Sequence, residues 1–462
     1  MKQFTRSITL FCLLGIMLPA GLKAQKSDSL MVRRIFDYYL LKAKSYDNLR
    51  YLTTRIGGRL SGSPQAAKAV DWAKKAMYDA GADTVYLQPC KVPHWVRGAA
   101  EQCQMFSKGI KTPLNICALG GSVATPKTGL TAEVIEVKSF EELDSLGEKN
   151  IKGRIVFYNV FFDQAKLSTG AMYGESVKYR WAGASRAAKY GAVATMVRSM
   201  SSVDNDFPHT GAMGYDTTVS KRKIPSCALS YAAASKLAAA LVKDQHTQVS
   251  LKMSCTMLPD ELSYNVVGEI EGSENADEII LAGGHLDSWD NGQGAHDDGS
   301  GVVQAIEVLA MFKQLGIKPK HTIRAVAFMN EENGGAGGKA YFEDTKEKGL
   351  KHILAIESDA GGFCPRGIGV DTLHGAYKRL LSWKPVLNEY YLQYIDAGGG
   401  GADISRLRDL GVPLLGIEPD GQKYFDYHHT ADDTFDKVNK RELHLSAGII
   451  GSIVYLVDFY GI

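Results

Sequence analysis

Residues 285–298 read His-Leu-Asp-Ser-Trp-Asp-Asn-Gly-Gln-Gly-Ala-His-Asp-Asp, so an imidazole and several carboxylates directly follow a short apolar run. Imidazole nitrogen combined with carboxylate oxygen is a donor set suited to zinc. The arrangement recurs twice downstream. Residues 321–329 end in Asn330-Glu331-Glu332-Asn333-Gly334-Gly335, and residues 353–356 end in Glu357-Ser358-Asp359-Ala360-Gly361-Gly362. A fourth apolar run, 412–417, leads into Tyr424-Phe425-Asp426-Tyr427-His428-His429-Thr430-Ala431-Asp432-Asp433-Thr434. A single acidic loop is ordinary solvated surface, and so is an isolated histidine pair. Three acidic clusters and a histidine pair, each closing an apolar run, call for a shared cause.

The elements that position them follow from the pattern. Residues 279–284, Ile-Ile-Leu-Ala-Gly-Gly, have the length and composition of a buried strand ended by glycines. A helix-length stretch, 301–315, comes next, and a second amphipathic segment separates the second run from the third. Strand–helix–strand order implies a parallel sheet with right-handed crossovers. All the strands then point their carboxyl ends to one edge, which is where open α/β sheets bind ligands. The expected fold class is α/β, a mainly parallel central sheet flanked by helices.

As a set, these motifs resemble the co-catalytic di-zinc exopeptidases, the family of secreted leucyl aminopeptidases and glutamate carboxypeptidases. The matching elements are His-x-Asp with an Asp-Asp-Gly-Ser-Gly tail, Glu-Glu-x-Gly, a strand-end Asp, and His-Thr-x-x-Asp-Thr. Tyr-Asn-Val-Val-Gly-Glu-Ile-Glu-Gly at 264–272, Glu-Ser-Asp-Ala-Gly at 357–361 and Gly-Gly-Arg-Leu-Ser-Gly-Ser at 57–63 are most similar to the plasma glutamate carboxypeptidase (carboxypeptidase Q) branch. The resemblance covers most of the chain after its amino-terminal segment and implies two Zn²⁺ per chain. It makes His285, Asp297 and Asp359 ligands of one zinc and Asp297, Glu332 and His429 ligands of the other, with Asp297 bridging. It makes Glu331 the general acid/base and Asp287 the carboxylate that orients the His285 ring, and it implies a cis peptide between Asp297 and Asp298. Adjacent glutamates leave the backbone in different directions, so one can bind metal while the other faces substrate; the order of the two rests on the resemblance. Asp433 is either a partner of His429 or an ordinary loop residue.

The implied chemistry is peptide hydrolysis by a zinc-activated water, with Glu331 taking its proton and later protonating the leaving amine. His428 and Tyr427 are the candidates to donate to the scissile carbonyl. Some relatives carry tyrosine where this chain has His428. The expected substrate is a dipeptide or short peptide held by its free α-amine, with carboxypeptidase action on dipeptides as the alternative. An inactive binding protein on the same fold would be missing ligands, yet every ligand position is filled. A single-zinc cyclase-type enzyme would bind one metal instead of two. No cluster of Arg or Lys stands out as a clamp for a substrate carboxylate.

The chain has 462 residues and a formal net charge of +2. It is long enough for two domains, and it has no basic excess to bind nucleic acid or an anionic membrane. Lys2 and Arg6 precede an apolar core at 8–18 that is too short to span a bilayer, followed by small residues with a cleavage point after Ala24. Residues 1–24 therefore read as a signal peptide, and the remaining chain as a secreted or periplasmic protein without a membrane span, with a homodimer expected from the resemblance. Six cysteines remain, Cys90, Cys103, Cys117, Cys227, Cys255 and Cys364, and their spacing assigns no pairing.

Between 115 and 258 the metal-type motifs are absent. Strand-like stretches at 155–160 and 192–197 flank a helix at 180–190, and the texture resembles the protease-associated domain inserted in several such peptidases. The expected organisation is a peptidase domain at 25–114 and 259–462, with an inserted α+β domain at 115–258. His209, in an aperiodic stretch, reads as a surface histidine.

Overall fold

The computed structural model describes residues 20–371 and 374–462. The apolar core of the expected signal peptide lies outside them. The first strand, β1 (Thr84–Val96), is followed by β2 (Gln102–Ser107), β3 (Ile110–Pro113), β4 (Ile116–Ala118) and β5 (Leu130–Val137). Next come β6 (Ile155–Tyr158), β7 (Ala194–Arg198), β8 (Ser226–Leu229) and β9 (Gln248–Lys252). The carboxyl-terminal part supplies β10 (Thr256–Ile270), β11 (Asn275–His285), β12 (His321–Phe328), β13 (Lys351–Glu357), β14 (Pro365–Asp371), β15 (Tyr394–Ala397) and β16 (Leu414–Pro419).

These strands form two eight-stranded sheets, ordered β1-β10-β12-β11-β13-β16-β14-β15 and β3-β2-β9-β5-β6-β7-β8-β4. In the first sheet β12, β11, β13 and β16 are mutually parallel, while β10 and β14 join them antiparallel on either side. The parallel strands are apolar on both faces because both faces are covered. Ile280 and Ala282 pack with the helices Ala20–Leu41, Ser300–Leu315 and Lys440–Tyr460, while Leu281 packs with Phe328, Tyr341 and Ile404 on the other side. The helix Lys440–Tyr460 is long and apolar enough to cross a membrane, but 89% of its apolar window is buried inside the fold. It is a core helix.

The second sheet is an insertion. The chain leaves the first sheet at the end of β1 and returns along β10, and Val96 pairs directly with Thr256, so the entry and exit strands lie side by side. The insertion starts earlier than residue 115. Strands β2 and β3 belong to it, because β2 pairs with β9 far along the chain, Gln102 opposite Lys252. Its long helix, Thr169–Lys189, also begins before the expected 180; the Ser168 side chain caps it by accepting the Ala171 N–H at 3.2 Å.

Candidate active site

The ends of the parallel strands lie together. His285 closes β11 and pairs with Phe328 of β12, while Gly283 pairs with Glu357 of β13. The 285–298 loop returns to the sheet through the cis peptide Asp297–Asp298. The Asp298 carboxylate accepts the His285 N–H at 3.0 Å and the Gly301 N–H at 2.8 Å, which ties the strand end to the start of the helix Ser300–Leu315. Only glycine fits at 301, since a Cβ there would overlap the Ser358 carbonyl.

Around this frame the five expected metal-ligand side chains converge. His285 is fully buried, with Nε2 3.2 Å from Asp297 Oδ1 and 3.3 Å from Asp359 Oδ1. On the other side of Asp297, Oδ2 lies 3.3 Å from His429 Nε2, which is itself 3.1 Å from Glu332 Oε2. Asp297 thus faces both histidines, one with each oxygen. Glu332 is fixed by accepting the Trp289 N–H at 3.2 Å through Oε1. Burial acts to raise the Asp297 carboxyl, yet contacts with His285 and His429 hold it well below its usual range. Burial, helped by Asp359 and Glu332 and opposed by His285, holds the Glu331 carboxyl well above its own.

The remaining expected residues occupy definite places. Asp287 is fully buried, but its carboxylate is 3.9 Å from His285 Nδ1, beyond hydrogen-bond range; its main-chain carbonyl is the closer partner, at 3.0 Å. The carboxylate instead accepts the N–H groups of Asn330 at 2.7 Å and Glu331 at 3.1 Å, so it orients the glutamate loop. Asp433 does not partner His429. It accepts the N–H groups of His296 at 2.7 Å and Asp297 at 3.2 Å and so holds the backbone of Asp297. Two non-glycine residues at the site, Asn330 (φ 74°) and His429 (φ 63°), have left-handed backbones, an outlier geometry that clusters where function over-determines the chain.

His428 stacks on His429 at 3.5 Å between ring centroids, with Nε2 3.7 Å from Asp297 Oδ2. Burial and the neighbouring His429 hold its pKa well below the usual histidine value. Tyr427 stacks on His296 and Phe363 instead. Sequence reasoning missed Tyr424. Its phenol is held well above its ordinary pKa by burial and by Asp297 and Asp359, and its ring lies 5.2 Å from that of His428. The signal was present, since Tyr424 and His428 are four apart on one helical turn and the His428 N–H donates to the Tyr424 carbonyl at 2.9 Å. His209 is not a surface residue: it is 1% exposed, and burial, with His429 nearby, pushes its pKa down to about 3. Arg180 and Thr210, also from the insertion, lie against His429. All six cysteines are free thiols.

Two clefts adjoin this cluster. One, of about 440 Å³, runs between Glu331 and the insertion residues Gly121, Trp181 and Met213. The other, of about 480 Å³, is bounded by Ala360, Tyr424, Phe425 and Thr169 at the start of the insertion's long helix. The insertion therefore covers the carboxyl edge of the first sheet.

Comparison with known proteins gives concordant results. Peptidase family M28 matches residues 265–454. The chain is 37% identical to carboxypeptidase Q of Xenopus laevis over 414 residues, covering 90% of this chain and 86% of that one. Human carboxypeptidase Q is 35% identical over 417 residues, covering 90% and 85%. Among crystal structures, a peptidase M28 precursor from Shewanella amazonensis SB2B superposes with a TM-score of 0.89 at 33% identity, covering 94% of this chain and 97% of that one. A zinc aminopeptidase from Bacillus subtilis shares the fold with a TM-score of 0.63 at 20% identity, over 89% and 94% of the two chains.

Proposed function

This chain belongs to peptidase family M28 and is a metallopeptidase; we propose that it is an exported zinc exopeptidase that removes the amino-terminal residue of dipeptides and short peptides. The observation that carries this reading is the convergence of His285, Asp297, Glu332, Asp359 and His429 beside Glu331, under the inserted domain. The donor set suits the metal. Ligand atoms of His285, Asp297 and Asp359 lie within 4.8 Å of one another. Asp297 Oδ2 is buried and accepts no hydrogen bond among the described residues, an acceptor left open for a cation. His285, Asp297 and Asp359 would hold one zinc, and Asp297, Glu332 and His429 the other. Zinc in such a site lowers the pKa of water toward ~7 and polarises a carbonyl oxygen.

The remaining steps fall to the chain. Glu331 takes the proton of the attacking water and passes it to the departing amine. Its loop is tied down by hydrogen bonds: Asp287 accepts two of its N–H groups, and the Asn330 side chain donates to Ser61 Oγ at 2.8 Å. Tyr424, whose hydroxyl stays protonated, donates to the carbonyl oxygen as negative charge develops there. The 440 Å³ cleft that Glu331 borders has room for a residue of a short peptide, and the insertion residues that line it limit how far a longer chain could continue. Fixing one terminus places the first peptide bond at the cluster.

The relatives named carboxypeptidase Q favour one second reading, carboxypeptidase action. For a dipeptide the two descriptions name the same bond. A panel of dipeptides blocked at one end in turn separates them. The expected result is cleavage of amide-capped dipeptides and none of amine-blocked ones. The opposite pattern replaces aminopeptidase by carboxypeptidase action, and cleavage of a long peptide blocked at both ends removes the exopeptidase reading altogether.

A further inference from the structure

The two histidines at the cluster are held from different domains. His285 Nδ1 rests 3.0 Å from the carbonyl of Asp287, in its own loop. His429 Nδ1 lies 3.2 Å from the carbonyl of Thr210, in the inserted domain. A carbonyl can only accept, so each Nδ1 can donate to it, and Nε2, the nitrogen turned toward the carboxylates, is the one that gives up its proton to bind a metal, although Arg180 Nη1 also lies 3.4 Å from His429 Nδ1.

The contact with Thr210 is built, not incidental. Thr210 is fully buried, and its N–H donates to the His429 carbonyl at 3.0 Å, so the two residues are paired through ring and backbone at once. Its hydroxyl donates to the Ala118 carbonyl at 2.7 Å, pinning the loop to the end of β4. The same Thr210 carbonyl accepts from Arg180 at 3.3 Å, and that guanidinium is steadied by the Tyr173 hydroxyl at 2.6 Å. The next residue, Gly211, has φ +133°, and a Cβ there would fall onto the Arg180 guanidinium and within 2.7 Å of His429 Nδ1.

We infer that the inserted domain is a working part of the metal site: the Thr210 carbonyl, seated by Arg180 and made accessible by Gly211, sets the tautomer and ring orientation of His429. The inference rests on the reading of His429 as a metal ligand. It gives the insertion a task besides roofing the clefts. The zinc held by Asp297, Glu332 and His429 binds fully only while the insertion is docked, and by linkage that zinc strengthens the docking by the same factor. Outer partners of ligand histidines typically govern metal affinity by ~10–100-fold.

The test uses the mature chain stripped of metal, titrated with Zn²⁺ against a chromophoric chelator and, in parallel, with Co²⁺ monitored by its d–d absorption. Gly211→Ala and Arg180→Met should each weaken one site ~10–100-fold and shift its Co²⁺ spectrum, leaving the other site at wild-type affinity. Metal-free melting curves like that of the wild type show that these losses are not misfolding; if Gly211→Ala alone fails to fold, Arg180→Met decides. His429→Ala serves as the reference and should abolish the same site. If His429→Ala removes one site while both other variants keep two sites of wild-type affinity and spectrum, the role of the insertion is refuted. If His429→Ala itself leaves both sites intact, the ligand assignment beneath the inference is wrong.

Discussion

Asp287 accepts the backbone N–H of Glu331 at 3.1 Å, while its own carbonyl, not its carboxylate, lies against His285. This divides its influence. The carbonyl survives any substitution, so the orientation of His285 should persist without the side chain. The carboxylate is what fixes the glutamate loop. Asp287→Ala should therefore lower kcat by ~10–100-fold while metal content, read by elemental analysis, stays at the wild-type level. Loss of metal in step with activity would restore the role the resemblance assigns, with the carboxylate orienting the His285 ring.

The neighbouring glutamates are distinguished by their partners. Both border the 440 Å³ cleft, but Glu332 faces His429, whereas the Glu331 carboxylate makes no ion pair among the described residues. Glu331→Gln should retain both metals and lose ~10²–10⁴-fold in turnover, because an amide cannot accept the proton of water. Glu332→Gln should weaken one metal site. An exchange of these two phenotypes would mean that the roles are reversed.

Much of this centre could be read from the chain, for a physical reason. Buried parallel strands must be apolar, so acid and histidine clusters stand out where such strands end, and the residues at 285–298, 330–335, 357–362 and 424–434 were found that way. Arg180, Thr210 and His209 were not. They lie in an insertion without a chemical signature, and they reach His429 only through the packing of one domain on another. The start of the insertion was misplaced for a similar reason. Strand β2 alternates buried Cys103 and Met105 with more exposed neighbours, as any half-buried strand does, and only its pairing with distant β9 assigns it to the second sheet.

Acid stability should report a histidine far from the cluster. His352 is buried, and its Nε2 lies 2.7 Å from the Tyr341 hydroxyl. Burial, and then the charge of Arg324, push its pKa from 6.5 down to about 3. The folded state thus resists protonation that the unfolded chain accepts. This contribution to stability is complete above the unfolded pKa of 6.5, and it declines as pH falls from there toward 3. The slope from one such group is about 1.4 kcal/mol per pH unit. His352→Gln should flatten the dependence of unfolding free energy on pH by roughly that amount between these limits, measured by denaturant titration. Parallel curves for the two proteins would show that His352 does not control it.

The donor to the scissile carbonyl can be identified among three aromatic neighbours. Tyr427 stacks on His296 and Phe363, and Tyr427→Phe should leave kinetics near wild type. His428 is packed face to face on His429, so its truncation should disturb metal binding before chemistry. Tyr424 differs from both. It borders the 480 Å³ cleft beside Ala360, the residue after Asp359, and burial, with Asp297 and Asp359 nearby, keeps its hydroxyl protonated. Such a group donates most strongly when the carbonyl oxygen gains negative charge, which happens in the transition state and not in the bound substrate. Its removal should therefore fall on kcat and spare KM. Tyr424→Phe should cost ~10²–10³ in kcat, the usual effect of deleting one donor to a developing oxyanion, with metal content unchanged. A rise in KM at constant kcat would make Tyr424 a substrate-binding wall instead, and a fall in metal content would place its effect on the ligands.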